Sequence, residues 1–414
     1  MTQIYPSLLH HFENLKGSAS LDLKKIQPTV FCTEKNDFIG MVQKNHEVHL
    51  RKALFMSSFL FVHLSYSFAH GLFASPSVQH LRIEGPFSTA FNAAHAGSPD
   101  GIIPPIRRKE PFSAKLSYTH DGQTIYHEVK MAVRGNNSLV ECDFAKLKFE
   151  ILDSVIGSVF AENKKVKVGT HCGEDSGEIS LRKRLRNQLT THREAWLYEV
   201  LSVMQFPAQR TQPARVVWSD TSEVAPEWGR EIERNSFLLE DAKLAAKRLN
   251  LKLEDEEKKW EDEEKSNWDL ESLAKMYLFQ AMIGNWDWRL PSGRGPFVHN
   301  FEVYKNAQGV FIFQPSDFDL ASIVTGHPLK ETANELRGLY PDKPVLFRQA
   351  AYYALSIRKE ALLTESHVAK AKQNFLQQLP GIRAKLENYP MDDAGKRIFL
   401  EHLAAFESVL NEIF

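Results

Sequence analysis

Strict alternation of hydrophobic and polar residues predicts a β-rich first half of the chain. The alternation is clearest on both sides of the turn residues 120–122, which is typical of a β-hairpin. The segments with strand character are 112–118, 125–133, 146–151, 212–218 and 235–239. Residues 180–203 interrupt them, because apolar side chains recur there at helical spacing and predict one long helix.

Helical periodicity dominates the second half. Residues 270–283 read as an apolar-rich helix, and from Pro341 onwards helical patterns follow one another. Breaks are expected at Pro380-Gly381 and at Tyr389-Pro390, because proline removes a backbone donor. The two halves together predict an α+β protein with a β-rich N-lobe and a mostly helical C-lobe.

The length of 414 residues permits this division into two lobes around one site. We assign the β-rich N-lobe to residues 75–250 and the helical C-lobe to residues 251–414, after an N-terminal extension over residues 1–74. A run of charged residues over 253–265 favours a solvated helix or a linker between the lobes.

Composition narrows the classes of function. Hydrophobic residues make up 43% and charged residues 25%, which is ordinary globular usage and excludes global disorder. The 51 Lys and Arg residues are balanced by 52 Asp and Glu residues, so a nucleic-acid binder, which needs a basic excess, is not expected. The three cysteines exclude a four-cysteine zinc site, and the P-loop, H-E-x-x-H and G-x-S-x-G motifs do not occur.

Residues 49–74 have the three parts of an export signal. Basic residues precede an apolar run over 53–68, and small residues follow it. This pattern predicts export to the periplasm or the exterior, with a mature chain that begins near residues 70–75. Translation from Met41 would place the run where export signals normally lie. The alternatives are a membrane anchor through residues 53–68 and a buried segment of the folded domain.

Cys142 and Cys172 are the cysteines that remain after removal of such a signal. An oxidising compartment favours a disulfide bond between them. The alternative is a pair of buried free thiols, which thiol titration of the denatured mature protein distinguishes from a bonded pair.

Two carboxylates and a carboxamide are expected to meet at one end of a second hairpin. Residues 301–305 and 310–314 read as its strands. Because a hairpin returns the chain to its starting end, Asn300 lies near Asp317, and Asp287 reaches the same end from the preceding helix. Hard oxygen ligands of this kind suit Mg²⁺ that bridges phosphate oxygens, with one carboxylate left to orient an attacking hydroxyl. The alternative interpretation is a set of polar residues at exposed loop ends.

Several short motifs in this region follow one another in order. They are Gly284-Asn285-Trp286-Asp287-Trp288, His299-Asn300 and Pro315-Ser316-Asp317-Phe318-Asp319. These motifs resemble the G-N-x-D-W, H-N and P-x-D-F-D signatures of the CotH-kinase-like family. Upstream, Arg134-Gly135-Asn136 and residues 142–149 resemble the R-G-N and C-x-F-x-x-L-K-L-x-F segments of the same family.

The resemblance implies an atypical protein-kinase-like fold, exported in many members. Such a protein transfers phosphate from ATP, with Mg²⁺ or Mn²⁺, to a serine or threonine of a protein substrate. Carried over by motif, Asp287 is the catalytic carboxylate, and Asn300 and Asp317 hold the metal. Asp319 shares the metal with Asp317 or caps the segment that follows.

The resemblance also provides candidates for nucleotide binding. Lys148 is the candidate for the ATP phosphates, with Lys146 on the same strand face. Arg134 contacts phosphate or stabilises a turn, and Glu240 lies where the lobes meet or is an ordinary strand-end acid. Two other functions remain open, namely transfer of AMP on the same fold and an inactive envelope scaffold that binds a nucleotide or nothing.

Overall fold

The computed structural model describes residues 71–74, 77–95, 110–135, 144–170, 189–226, 228–254, 265–285, 287–288, 300–326 and 338–414. They all belong to one compact unit, Val62–Phe414. Residues 49–70 of the predicted export segment and both Cys142 and Cys172 lie outside the described residues. Among the described residues, no helix has the length and apolar composition needed to cross a membrane.

Seven strands of the N-terminal region close into a barrel in the order β1-β2-β3-β4-β5-β7-β6. The strands are β1 Gln79–Gly85, β2 Phe112–His120, β3 Gln123–Val133, β4 Leu147–Ile151, β5 Lys165–Gly169, β6 Thr211–Asp220 and β7 Glu231–Glu240. Neighbouring strands are antiparallel except at the closure, where β1 runs parallel to β6 and Gln79 pairs with Ala214.

The barrel encloses its own hydrophobic core, because inward-facing residues alternate with outward-facing ones along each strand. In β4, for example, Leu147, Phe149 and Ile151 are buried. The first helix, α1 (Phe87–His95), adds Phe87 to this core, where its ring packs edge-on against Trp218 at 5.3 Å between centroids.

The second helix, α2 (Leu189–Val203), lies against β6 and β7 and is buried on nearly every face. Its apolar side chains join the core of the helical region rather than the barrel interior. Charged residues of α2 are buried as well, among them Arg193 and Glu194. A buried charge is costly unless it is paired, so α2 has to place these groups against partners.

In the described part of the helical region there are a small sheet in the order β10-β9-β8 and six helices. The strands are β8 Lys252–Leu253, β9 Phe301–Lys305 and β10 Phe311–Pro315. The helices are α3 Ala242–Arg248, α4 Leu270–Ile283, α5 Ser322–Thr325, α6 Val345–Leu355, α7 Glu365–Asn388 and α8 Asp393–Ile413, with short 3₁₀ turns at Lys265–Asn267 and Ser356–Lys359.

The predicted α+β class is confirmed, with a sheet-rich N-terminal region and a helical C-terminal region. The closure of the sheet into a barrel was not predicted. The expected break at Pro380-Gly381 is wrong, since α7 continues through Pro380 to Asn388. Buried residues on both sides of the proline, such as Leu379 and Ile382, pack into the helical core and offset the lost backbone hydrogen bond.

Candidate active site

The second hairpin brings Asn300 and Asp317 together, as hairpin geometry predicts. Phe301 pairs with Pro315, and just beyond this pair the Ser316 N–H donates to the Asn300 carbonyl at 3.0 Å. Both Asn300 and Asp317 have left-handed backbones, with φ of 65° and 56°. Asn and Asp tolerate this conformation better than most residues, and such strain is concentrated at functional sites.

Asn300 also connects the hairpin to Asp287 at the end of α4. Its side-chain amide donates to the Asp287 backbone carbonyl and to Asp287 Oδ2, the latter at 3.1 Å. The Asn285 side-chain carbonyl accepts the Asp287 N–H at 3.0 Å. Asp287 is therefore held from both sides, by the residue two positions before it and by the hairpin.

Gly284 explains how α4 ends at this point. It caps the helix in the left-handed conformation, with φ of 61°. A Cβ atom at this position would overlap the side chains of Gln349 and Ser322, so glycine is required for space as well as for φ. The Gly284 carbonyl accepts the Ser322 N–H at 3.2 Å, which joins the end of α4 to α5.

Lys146, immediately before β4, extends from the barrel to the acids that follow β10. Its Nζ lies 2.6 Å from Asp317 Oδ1 and 3.2 Å from Asp319 Oδ2, and only 6% of its side chain is exposed. Burial alone would lower the pKa of Lys146, but the charges of Asp317 and Asp319 outweigh burial and raise this pKa. Lys146 is therefore an ammonium ion at every physiological pH.

The same contact determines the ionisation of Asp317. Burial alone would raise the pKa of this carboxyl, but the charge and hydrogen bond of Lys146 lower the pKa below its ordinary value. The Asp317 N–H donates to the Tyr198 hydroxyl of α2 at 3.3 Å, so α2 fixes the backbone of this residue as well.

Glu194 of α2 is a third acid beside this cluster. Its side chain is buried, and burial together with the negative charges of Asp319 and Asp317 raises its pKa to about 8, against the lowering effect of Lys146. Glu194 therefore holds a proton at neutral pH. An added cation in the cluster would favour the ionised form of Glu194.

Arg134, at the end of β3, lies beside the cluster. Its Nε donates to the Leu147 carbonyl at 3.2 Å, and its charge lowers the pKa of Asp317. The Arg134 N–H donates to the Lys146 carbonyl at 2.8 Å. Arg134 thus supports the backbone that presents Lys146 and adds positive charge near the acids.

The structure does not bring Lys148 to the cluster, which corrects the sequence assignment. Lys148 is exposed on the outer face of β4, whereas Lys146 is buried against Asp317. Two residues along a strand advance the chain by roughly 6–7 Å, which is enough to move a side chain from the site to solvent. Among the described contacts of the cluster, none involves Lys148.

Glu240 lies at the end of β7, and its ion-pair partners are not those of the cluster around Lys146. Its carboxylate forms ion pairs with Arg210 at 3.0 Å and with Arg248 at 2.7 Å. Burial alone would raise the pKa of Glu240, but the hydrogen bond from Arg248 and the charges of both arginines lower it. This acid is saturated by protein cations, so its oxygens are occupied by the fold itself.

The acids around Lys146 fit a divalent metal by their chemistry. Among the described residues, no set of three or more His, Cys, Asp or Glu side chains is arranged as a complete metal site. Mg²⁺ usually takes one or two protein carboxylates and completes its shell with phosphate oxygens and water. Asp317 and Asp319 already share one positive group, the ammonium of Lys146. Asn300, whose backbone carbonyl accepts the Ser316 N–H, also carries a carboxamide oxygen at this end of the hairpin.

Sequence reasoning did not single out Glu194 or Tyr198, and it preferred Lys148, which is exposed, to Lys146, which contacts Asp317. The signal for Glu194 was a charged residue inside the predicted helix 180–203, next to apolar residues that face the core. Such a signal indicates a buried charge but not its partner, which depends on how α2 packs.

A comparison with known protein families finds a match over this region. Residues 233–365 match the CotH kinase protein family. The suspected resemblance is thereby confirmed over this CotH kinase segment, which contains Asp287, Asn300, Asp317 and Asp319. Lys146 and Glu194 lie before it. No curated protein sequence matched the chain.

Proposed function

We propose that the protein is a kinase that transfers the terminal phosphate of ATP, with Mg²⁺ or Mn²⁺, to a serine or threonine of a protein substrate. The supporting observation is the contact of Lys146 with Asp317 and Asp319, next to an Asp287 that Asn300 holds in place. A buried cation, oxygen ligands and a positioned carboxylate are the parts that phosphoryl transfer requires.

The acidic and the basic residues of the site bind different groups, namely the metal and the phosphate oxygens. Asp317, Asp319 and Asn300 supply the oxygen ligands for the metal. When bound, the metal would bridge phosphate oxygens and neutralise the charge that develops on them. Lys146 and Arg134 present positive charge from the barrel side and bind phosphate oxygens.

Asp287 orients the acceptor hydroxyl and takes up its proton as the new oxygen–phosphorus bond forms and the bond to the ADP oxygen breaks. Asn300 and Asn285 hold Asp287 in position, so little reorganisation is needed when the substrate binds. Catalysis on this plan comes mainly from positioning and from neutralised charge.

The same contact supports a kinase-like arrangement of two lobes. The barrel provides Lys146 and Arg134, and the helical region provides Asp287, Asn300 and Asp317. Nucleotide phosphates would bind between these two groups of residues, with one protein substrate on the side of Asp287.

Labelled ATP tests the proposal. The purified protein is incubated with Mn²⁺ and ATP labelled in either the α- or the γ-phosphate, and its intact mass is measured. Retention of the γ-label with the mass of one phosphate supports a kinase. Retention of the α-label with the mass of AMP indicates nucleotide transfer on the same site. No gain in either experiment, including with a mixture of added protein substrates, would contradict catalysis.

Matched variants separate this chemistry from contamination. Asp317→Asn should abolish labelling, whereas Asp342→Asn, an exposed acid outside the cluster, should retain it. Equal labelling of both variants would show that another enzyme in the preparation is responsible.

We also propose that the protein acts outside the cytoplasm. This rests on the basic, apolar and small-residue segments of 49–74. Protein isolated from its native host should begin near residues 70–75 by N-terminal sequencing. Recovery of a soluble cytoplasmic chain that retains Met1 would contradict export, and recovery in membranes with residues 53–68 intact would indicate an anchor.

A further inference from the structure

Arg193 precedes Glu194 on α2 and forms a two-pronged ion pair with Asp392. Its Nε donates to Asp392 Oδ2 at 3.0 Å and its Nη2 to Asp392 Oδ1 at 2.8 Å. The side chains are 8% and 19% exposed. Parallel hydrogen bonds between a guanidinium and a carboxylate fix orientation as well as distance, so this pair holds α2 in one position relative to the start of α8.

The third nitrogen of the same guanidinium contacts the segment that carries the acids. Arg193 Nη1 donates to the Val324 carbonyl at 3.2 Å. Val324 belongs to α5, which begins three residues after Asp319. One buried side chain thus joins the helix of Glu194, the segment after Asp317 and Asp319, and the last helix of the chain.

The absence of a side chain at Gly395 leaves the space that the Arg193–Asp392 pair occupies. A Cβ atom on Gly395 would lie 2.7 Å from Asp392 Oδ2 and 2.8 Å from Arg193 Nε, closer than such atoms approach. Glycine inside a helix is less favourable than alanine, and Gly395 lies in the first turn of α8. The unfavourable residue is explained by the ion pair beside it.

A second contact joins the same elements. The ring of Trp196 on α2 packs against Tyr389, between α7 and α8, at 4.8 Å between centroids. Helix α2 is therefore packed between the barrel on one side and the α7–α8 pair on the other.

We propose that Arg193 and Asp392 are a positioning pair that fixes Glu194 relative to Asp317 and Asp319, so that the α7–α8 pair is a working part of the site. The catalytic consequence rests on the proposed kinase function. Neither residue lies in the CotH kinase segment 233–365, so the family match does not include this support.

Two variants isolate the ion pair from its other roles. Asp392→Asn removes the charge but retains a side-chain oxygen that accepts the Gly395 N–H, so the N-cap of α8 is preserved. Arg193→Lys keeps the positive charge but cannot form the two parallel hydrogen bonds that the guanidinium makes with Asp392. The matched control is Glu407→Gln, which breaks the pair of Glu407 with Arg383 between α7 and α8 without touching α2.

Hydrogen exchange of the full chain, without metal or nucleotide, reads the position of α2. Amides of Leu189–Val203 and Ser322–Thr325 should exchange roughly tenfold faster or more in Asp392→Asn and Arg193→Lys, because both segments lose a shared anchor. Glu407→Gln should leave these two segments at the wild-type rate. Faster exchange confined to the start of α8, or an equal effect of Glu407→Gln, would overturn the proposal.

Binding of Mn²⁺ alone, followed by electron paramagnetic resonance, links the pair to the acids. Asp392→Asn should weaken Mn²⁺ binding about tenfold, and Glu407→Gln should not change it. Equal Mn²⁺ affinity of wild type and Asp392→Asn would overturn the link to the acids. A wild-type protein that binds no Mn²⁺ would instead contradict the proposed kinase function, and the exchange comparison then decides the positioning role by itself.

Discussion

Glu240 and the cluster around Lys146 are two places where acids pair with cations, and the ratio of acids to cations is opposite in the two. At Glu240 one carboxylate receives two arginines, Arg210 and Arg248. The Arg210 N–H also donates to Glu240 Oε2 at 3.0 Å, so both oxygens are satisfied. Because both of its oxygens already accept hydrogen bonds from arginines, Glu240 stabilises the fold and is not available to bind a ligand.

Around Lys146 the acids are in excess. Asp317, Asp319 and Glu194 lie around Lys146 and Arg134, and Glu194 stays protonated because it is buried and because the charges of Asp319 and Asp317 oppose its ionisation. Such a cluster gains from an additional cation. The two sites differ in exposure as well as in charge: the Glu240 side chain is 1% exposed and paired with two arginines, whereas the Asp317 side chain is 43% exposed and shares Lys146 with Asp319.

The strongest test of this contrast neutralises Asp287 and Asp317 separately. Asp317→Asn removes a charge that offsets the metal, so Mg-ATP binding and transfer should fall together. Asp287→Asn should leave nucleotide affinity intact and lower turnover by roughly 10²–10⁴-fold, because its interaction with the hydroxyl is made on the way to the transition state. Asn300→Ala should resemble Asp317→Asn with a milder loss.

Calorimetry of Mg-ATP binding beside autophosphorylation measures both effects. If Asp287→Asn and Asp317→Asn lose the same affinity for Mg-ATP, both residues act as metal ligands. That result would contradict the proposed division of roles. If both variants bind Mg-ATP and autophosphorylate like the wild type, the alternative interpretation holds, and these are polar residues at an exposed loop end.

The second test removes the internal cation. In Lys146→Met the acids lose their competitor for a metal, so Mn²⁺ alone should bind about tenfold more tightly, while ATP affinity falls because a phosphate partner is lost. Lys148→Met, the exposed neighbour on the same strand, is the control and should change neither affinity. Weaker Mn²⁺ binding in Lys146→Met would show that Lys146 does not occupy the cation position.

The third test applies to the saturated acid. Glu240→Gln leaves Arg210 and Arg248 without a counter-charge, and we expect a loss of about 1–3 kcal/mol in the free energy of unfolding, reduced from the fully buried case because the arginines are partly exposed. Glu231→Gln, at an exposed pair with Arg82, should change this free energy by less than about 0.5 kcal/mol. Urea unfolding measures both, and loss of metal binding in Glu240→Gln would remove the distinction drawn above.

The last test concerns the pH dependence of the free energy of unfolding. The pKa of Glu194 rises to about 8 in the folded protein from the ordinary 4.5, so between these values the folded state binds more protons than the unfolded chain. The contribution of Glu194 to the free energy of unfolding should therefore fall as pH rises from about 4.5 to about 8, and the difference between wild type and Glu194→Gln isolates this contribution from that of other titrating groups. Glu194→Gln has no proton to lose, so it should match the wild type near pH 5 and be more stable near pH 9.

Glu240 should give the opposite slope. Its pKa is lowered on folding, so its stabilisation is present above the ordinary pKa of 4.5 and is lost as the pH falls through the folded value. Glu240→Gln should therefore flatten the acid side of the stability profile, and Glu194→Gln the alkaline side. Urea unfolding across the pH range compares the two, and equal slopes for both variants would contradict the assignment of Glu194.

Local elements were predicted well from the sequence. The predicted helix 270–283 is observed as Leu270–Ile283, and the predicted strand 301–305 as Phe301–Lys305. The meeting of Asn300 and Asp317 was also predictable, because a hairpin determines which residues lie at its open end. These features depend on residues that are close in sequence.

Features that depend on tertiary packing were not predictable. The alternating pattern predicts Lys146 and Lys148 on one strand face, and only the position of the helical region relative to the barrel shows that Lys146 reaches Asp317. The contact between Arg193 and Asp392 joins α2 to the start of the last helix, with no motif to connect them in sequence. Closure of the barrel is equally non-local.

The parallel pairing of β1 with β6 has a consequence for how the chain folds during synthesis. At 5–20 residues per second, the ribosome needs on the order of ten seconds to proceed from the end of β1 to the end of β6. Throughout that time one edge of β1 has no partner, and unpaired strand edges are the parts of a nascent protein that associate with other chains. Long-range parallel pairing also forms slowly, because the intervening loop must close first. Closure of the barrel therefore waits for β6, and until then the open edge of β1 is where association with other chains is expected.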